Sequence, residues 1–332
     1  MVGQFKPEVS LLDSAFSKRK KRSRSDSLLQ RIEQFVDWHK LEVICRPMYK
    51  DSRRGRPSIP IQFSLKCLIL QYLYNLSDPA LEDALIDRMS FQRFLRIGFD
   101  TDIPDFSTLW RFRERLSKSG LLDKVFFSVV EQLEKQGITL RRGTLIDATL
   151  VQAARRPPKN DDIQNGDTIG DGSGQQDCQA SSVTRDNKHL FGYKGHIALD
   201  QGSEIIRKQS FTSACVHDSQ QTAELICGDE QAVYADKAYA NDSLKRSCRE
   251  RGVYYGILDK ARRNHPLTSK QKKLNRHKSR IRRAVERPFA WFKRMLGYRL
   301  VRYVNLRRNA LQFTFLCIVY NLRRAVSICE IT

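Results

Sequence analysis

The stretch TLIDATLV (residues 144–151) decides how the rest of the chain is read. It is built from β-branched and aliphatic residues apart from one acid, Asp147, which stands between Leu145–Ile146 and Ala148. That composition predicts a buried strand. An ionised carboxylate there is costly to bury unless it is paired or binds a metal. Outward from this strand the signals alternate. Residues 157–187, rich in Gly, Asp, Asn and Ser, predict a flexible loop. HLFGYKGHIALD (189–200) and EIIRKQSFTS (204–213) predict two strands around the turn Gln201-Gly202-Ser203. DSQQTAELICG (218–228) reads as a helix, AVYADKAY (232–239) as a strand, SLKRSCRERG (243–252) as a helix and VYYGILDK (253–260) as a strand. A long basic helix holding Glu286 closes the series.

Three strands followed by alternating helices and strands is the order of a ribonuclease H-like domain. The expected fold class is therefore α/β, a ribonuclease H-like mixed sheet flanked by helices, over residues 141–326. Residues 1–140 read as a separate all-α domain. After the basic cluster SKRKKRSRS (17–25), which suits either a DNA-contacting arm or a disordered tail, come LLQRIEQFVDWHKL (28–41), FSLKCLILQYLYNL (63–76), SDPALEDALIDRMSFQRFL (77–95), DFSTLWRFRERL (105–116) and LLDKVFFSVVEQLEKQG (121–137). Ser77 and Ser107 are candidate N-caps, and Pro79 falls in a first helical turn. Short helices ending in one that carries Arg111, Arg113 and Arg115 permit a helix-turn-helix-like DNA reader, and plain helical packing fits equally.

The charge is concentrated. Of the net +22, residues 260–332 carry 20 basic and 2 acidic groups, or +18, which leaves +4 for the rest. Such a field points to a polyanion, and nucleic acid is the commonest. The alternative is a solvated basic face, which interleaved Trp291, Tyr298 and Tyr303 make less attractive. Within this segment Glu286 is the only acid before Glu330. Asp147, Asp236 and Glu286 form an ordered trio of the kind that holds a divalent cation, since crowded carboxylates repel one another unless a cation joins them. All-oxygen ligands suit Mg²⁺ or Mn²⁺, and a pair of ions can serve phosphodiester displacement. Each acid taken singly is as easily a cap or a salt-bridge partner. Val285, Phe289, Phe292 and Leu296 form a core-facing stripe, with Arg282, Glu286 and Lys293 on the adjoining one. Pro288 must kink this helix or mark its start.

Other classes fit poorly. At 40% apolar and 9% aromatic, a chain of 332 residues can fold around real cores. FTFLCIVYNL (313–322), its longest apolar run, is far short of the roughly 18 residues of a membrane span. The N-terminus reads as lacking a secretory signal, so a cytoplasmic, nucleoid-associated protein is expected. Eight scattered cysteines without a C-x-x-C pair indicate reduced thiols rather than zinc or disulfide sites.

Taken together, LSDPALEDALIDRMSFQRFL, PDFSTLWRFRERL, GTLIDATLVQAA, FGYKGHIALD, YADKAY and VERPFAWFKR resemble the DDE transposases of bacterial insertion sequences, in the superfamily of types four and five. The likeness runs from about residue 30 to 325. It implies a helical N-terminal domain that binds element ends, and a ribonuclease H-like core that cleaves those ends and transfers them into target DNA. It implies Asp147, Asp236 and Glu286 as catalytic and metal-binding residues, with Mg²⁺ or Mn²⁺, two ions, as cofactor. The family pattern R-x3-E-x6-K is met by Arg282, Glu286 and Lys293, and its basic pair is expected to hold DNA. Arg283, Arg287, Arg294, Lys194, Lys237, Arg111 and Arg113 complete the candidate DNA contacts. Ser279 stands where the pattern often has Tyr, and a large inserted β domain is not expected. Expected partners are double-stranded DNA, as terminal inverted repeats and target, and a second copy in a homodimer. A ribonuclease H-fold nuclease without transposition, or a non-catalytic DNA-binding regulator, are the competing readings.

Overall fold

The computed structural model describes residue 3 and residues 23–49, 58–98, 101–157, 176–185, 188–261 and 265–331. The basic cluster up to residue 22 and most of the predicted loop, residues 158–175, lie outside the described residues. The chain divides into two compact units, Met1–Gln136 with Thr314–Thr332, and Gly137–Phe313.

The first unit is helical. It comprises α1 (Arg24–Phe35), α2 (Trp38–Cys45), α3 (Ile61–Leu73), α4 (Asp78–Asp87), α5 (Met89–Leu95), α6 (Phe106–Lys118) and α7 (Leu122–Lys135). Two segments predicted as single helices are each split. Residues 28–41 break at Val36–Asp37, where Asp37 caps α2 by accepting the Lys40 N–H at 3.1 Å. Residues 77–95 break at Arg88, which closes α4 in an extended conformation. Ser77 caps α4 as expected, accepting from the Ala80 N–H at 3.2 Å. The cap of α6 is Asp105 and not Ser107: the carboxylate accepts the Thr108 N–H at 2.8 Å, and the Ser107 hydroxyl merely donates to it. A carboxylate suits that place because it also meets the positive end of the helix dipole. α3 is buried on nearly every side. Its one cation, Lys66, donates to Glu33 at 2.9 Å and to the Phe94 carbonyl at 3.0 Å, so the buried ammonium is paired.

The second unit holds a six-stranded mixed sheet. β1 (Thr144–Gln152) is central, with β3 (Lys188–Asp200) antiparallel on one side and β5 (Ala232–Ala235) parallel on the other. β6 (Tyr254–Tyr255) continues parallel beyond β5, and β4 (Ile206–Ser213) pairs antiparallel with β3. A strand absent from the sequence reading, β2 (Ser181–Arg185), pairs with the first residues of β3. It falls inside the segment predicted as loop, where SSVTR supplies enough β-forming residues to close a hairpin onto a long neighbour. β6 is two residues long rather than the full VYYGILDK. Gly192, which pairs with Ser181 at the start of β2, lies so close to β1 that a Cβ would sit 2.0 Å from the Val151 carbonyl oxygen.

Helices α8 (Asp218–Leu225) and α9 (Asp242–Glu250) cover one face of the sheet. Leu225, Leu244 and Cys248 pack there with Ile146, Ala198, Val233, Ala235 and Tyr239. Each large apolar side chain buried in this way contributes roughly 1.5–3 kcal/mol. After β6 come α10 (Ser269–Arg282), a single 3₁₀ turn (Arg283–Val285), α11 (Glu286–Met295) and α12 (Leu306–Ile331). The basic helix is therefore not continuous. Glu286 opens a new helix, and Pro288 sits in its first turn, where a missing N–H costs little. Val285, Phe289, Phe292 and Leu296 are buried, as the stripe requires. Phe292 meets Phe313 and Tyr298 at ring separations of 6.2 and 6.4 Å. These contacts fix the rotation of α11. The mixed sheet flanked by helices and the helical N-terminal region agree with the expected class.

Candidate active site

The alternation of β1 sets the direction of Asp147. Ile146 faces the core under α8 and α9, so Asp147 points to the opposite face. The last β1–β5 pair in register is Ile146 with Ala235. The next residues along the two parallel strands are Asp147 and Asp236, which places two acids side by side where β5 ends. Asp236 then caps the 3₁₀ turn Lys237–Tyr239, its carboxylate accepting the Lys237 N–H at 2.8 Å.

Glu286 comes from the far end of the chain segment. Arg282, on the last turn of α10, donates to the Asp147 carboxylate at 2.7 Å and lies 3.9 Å from the Glu286 carboxylate. One guanidinium thus bridges the first and third acids. Burial raises the Asp147 carboxyl above its usual range, Arg282 and the Ala148 N–H pull it back, and Asp236 adds to the rise. The oxygens of the three acids are not all within 4.8 Å of one another. Arg282 supplies the cation that the desolvated Asp147 requires.

Beside the aspartates the turn is tied into the sheet. The buried Tyr239 hydroxyl lies 3.2 Å from His196 Nδ1, and His196 Nε2 lies 3.4 Å from the Thr212 hydroxyl. Burial pushes the His196 imidazole down to about 4, so it is neutral at physiological pH. No motif signalled this pair; a histidine alternating with apolar residues in β3 was the only sign of it.

The other predicted residues divide sharply. Arg283, Arg294 and Lys237 are exposed, Arg283 and Lys237 close to Glu286 and Asp236 in the chain and Arg294 in the last turn of α11, and Lys293 is half-buried on α11. Arg287 is exposed but paired with Glu204. Lys194 is largely buried and donates to Asp218 and to the Val216 carbonyl, both at 2.8 Å. In the helical unit, Arg111 is exposed, whereas Arg113 is buried and grips both Asp78 oxygens at 2.7 Å. Arg113 is therefore a structural residue and is corrected from the DNA-contact set: on an amphipathic helix, 111 and 113 cannot face the same way. Among the described residues one further cluster, Cys227, Asp229 and Glu230, brings ligand atoms together. Its charges are already spoken for. Arg207 holds Asp229 at 2.7 and 2.8 Å, Glu230 accepts the backbone N–H groups of Cys227 and Gly228, and burial raises the Cys227 thiol to about 11.

Two acids at neighbouring strand positions, with a third at the head of a following helix, form a carboxylate set whose chemistry suits a phosphodiester-processing class of protein. The sequence comparisons agree with that class. Residues 17–115 match the model described as Transposase domain (DUF772), and residues 138–322 match the model described as Transposase DDE domain. The second match spans more than half of the chain, and the chain belongs to the transposase DDE domain family. It is a DNA transposase of the DDE type, with the two-part architecture of insertion-sequence types four and five. As in that family generally, its chemistry depends on a divalent metal and its substrate is DNA. A solved chain similar to it comes from the cryo-EM structure of piggyBac transposase synaptic complex with hairpin DNA. The two share 11% identity over 92% of this chain and 75% of that chain, at a TM-score of 0.43. At that score the likeness defines nothing of the fold, which rests on the strand order and the family match. No helix among the described residues is long and apolar enough to cross a membrane.

Proposed function

We propose that Asp147, Asp236 and Glu286 hold the catalytic metal, as Mg²⁺ or Mn²⁺ and as two ions, and that the protein cleaves DNA at element ends and joins them to target DNA there. The observation that carries this reading is the neighbouring register of Asp147 and Asp236, with Arg282 linking Asp147 to Glu286. The donor set fits such an ion: it is all carboxylate, and the place between two of the acids is held by a positive group. When bound, the metal supplies Lewis-acid activation of the attacking oxygen and stabilisation of the leaving one. The chain's own residues do the rest. Asp147 lies on β1 and Asp236 directly follows its parallel partner β5, so little reorganisation is needed at the moment of reaction. Arg282, which donates to Asp147, would be a donor for a phosphate oxygen if Asp147 held a metal, and Lys293 extends the cationic surface along α11. Arg283, Arg294 and Lys237 seat the backbone beside the acids, and Arg111 contacts DNA from the helical unit. The enzyme acts in the cytoplasm on nucleoid DNA and pairs two ends as a homodimer.

The test uses purified protein, Mg²⁺ and duplex DNA ending in the terminal repeats. Asp147→Asn is expected to bind that DNA as the wild type does while losing metal-dependent cleavage. Undiminished cleavage by this variant would refute the site. Cleavage that ignores the repeats and never joins strands would identify a nuclease, and a wild-type protein that binds without cutting would be a regulator.

A further inference from the structure

α10 is a helix with almost nothing to bury. Its 14 residues, SKQKKLNRHKSRIR, contain seven Lys and Arg and no acid. Only Lys278 is buried, and even Leu274 is 41% exposed. Like charges recur one turn apart, at Lys272 and Arg276, Arg276 and Arg280, and Lys278 and Arg282, and each such pair is destabilising. What holds the helix is polar. Thr268 and Gln271 close a capping box at its start. Asn275 then donates to the Asp259 carbonyl and accepts the Asp259 N–H, each at 3.0 Å. Lys278 donates to the Ile257 carbonyl at 2.7 Å and lies 3.4 Å from the Asp259 carboxylate.

These tethers fix the rotation. At 100° per residue, Asn275, Lys278 and Arg282 share one face, and Lys270, Lys273, Arg276 and Arg280 gather on the opposite one. All four of the latter are exposed. A stretch that only conferred solubility would need neither a fixed rotation nor a capped start. The last residue of the same helix is Arg282, on the tethered face and in contact with Asp147, so the C-terminal end of α10 lies beside the acids.

We propose that the outward face of α10 is a phosphate-tracking rail for duplex DNA, reading no sequence, that aligns the strand running through the active site. The proposal rests on the reading of that site given above. A 14-residue helix is about 21 Å long, which spans the axial rise of about six base pairs of duplex at 3.4 Å each. Side chains this long and mobile reach phosphates, not base edges, so repeat-bearing and unrelated duplexes should gain equally.

The experiment is a salt titration of binding by fluorescence anisotropy, with full-length protein carrying Lys273→Gln, Arg276→Gln and Arg280→Gln together. The slope of log affinity against log salt is expected to fall by about 3, on repeat-bearing and scrambled duplexes alike. The melting temperature should be unchanged. An unaltered slope overturns the proposal, and so does a loss confined to single-stranded DNA. Failure of the triple variant to fold would make these residues structural and overturn it as well. The two readings fail separately: persistent cleavage by Asp147→Asn removes the metal site and leaves the rail's binding result standing, whereas an unaltered slope removes the rail alone.

Discussion

Arg111 and Arg113 are two residues apart on α6 and should behave as opposites. Arg113 is 4% exposed, with its guanidinium on both oxygens of Asp78 at 2.7 Å and on the Gln71 side-chain oxygen at 3.2 Å. Truncation to alanine would leave Asp78, in the first turn of α4, facing the vacated space without the guanidinium, while the Gln71 amide still donates to it. Breaking one side of such a bidentate, mostly buried pair costs about 3 kcal/mol, because the stranded carboxylate keeps its desolvation penalty. For a unit of this size that corresponds to a melting temperature lower by roughly 6–12 °C. Arg111→Ala removes an exposed side chain and should change stability by less than about 0.5 kcal/mol while weakening DNA binding. Urea unfolding of both variants, together with anisotropy binding at a temperature where both are folded, measures the two effects. If Arg113→Ala melts like the wild type and loses DNA affinity, the burial argument is wrong. If Arg111→Ala is the destabilised variant, the orientation of α6 is wrong.

Three further outcomes follow from other parts of the molecule. Burial lowers the pKa of His196 from 6.5 to about 4, so the unfolded chain binds the proton first. Its contribution is complete above pH 6.5 and is lost as the pH falls towards 4, by on the order of 3 kcal/mol; His196→Gln should flatten the stability–pH curve in that window. Gly192→Ala places a Cβ 2.0 Å from the Val151 carbonyl oxygen, a backbone atom that cannot step aside, and should cost about 3 kcal/mol in denaturant unfolding. Arg282→Ala and Lys293→Ala should each reduce the salt slope of DNA binding by about one unit, and an unchanged slope in either would mean that it does not meet phosphate.

Most of the architecture was legible because its signals are local. Alternation and β-branching marked β1, β3 and β4, and the 3.6-residue stripe through Val285, Phe289 and Phe292 marked the buried side of α11. Breaks were harder to see. The division of 28–41 at Asp37 and of 77–95 at Arg88 depends on how the next helix packs, which no window of sequence contains. β2 was missed because its partner, the first five residues of β3, lies across a hairpin whose composition reads as loop. The three acids could be placed in order from sequence, but the neighbouring register of Asp147 and Asp236 needed the sheet. The Arg-to-DNA assignments were the weakest part. Charge in a sequence says nothing about direction, so Arg113 and Lys194 looked like Arg111 and Lys237 until Asp78 and Asp218 were seen opposite them.

The 3₁₀ turn at Arg283–Val285 separates two helices that would otherwise share one phase. In a continuous helix, each residue gained or lost upstream swings everything downstream by 100°. Here α11 takes its angular setting from Val285, Phe289 and Phe292, and α10 takes its own from Asn275 and Lys278. The cationic helix can therefore be lengthened or shortened at its free end, changing its reach along a polyanion, while the aim of Glu286 stays where the aromatic cluster has put it.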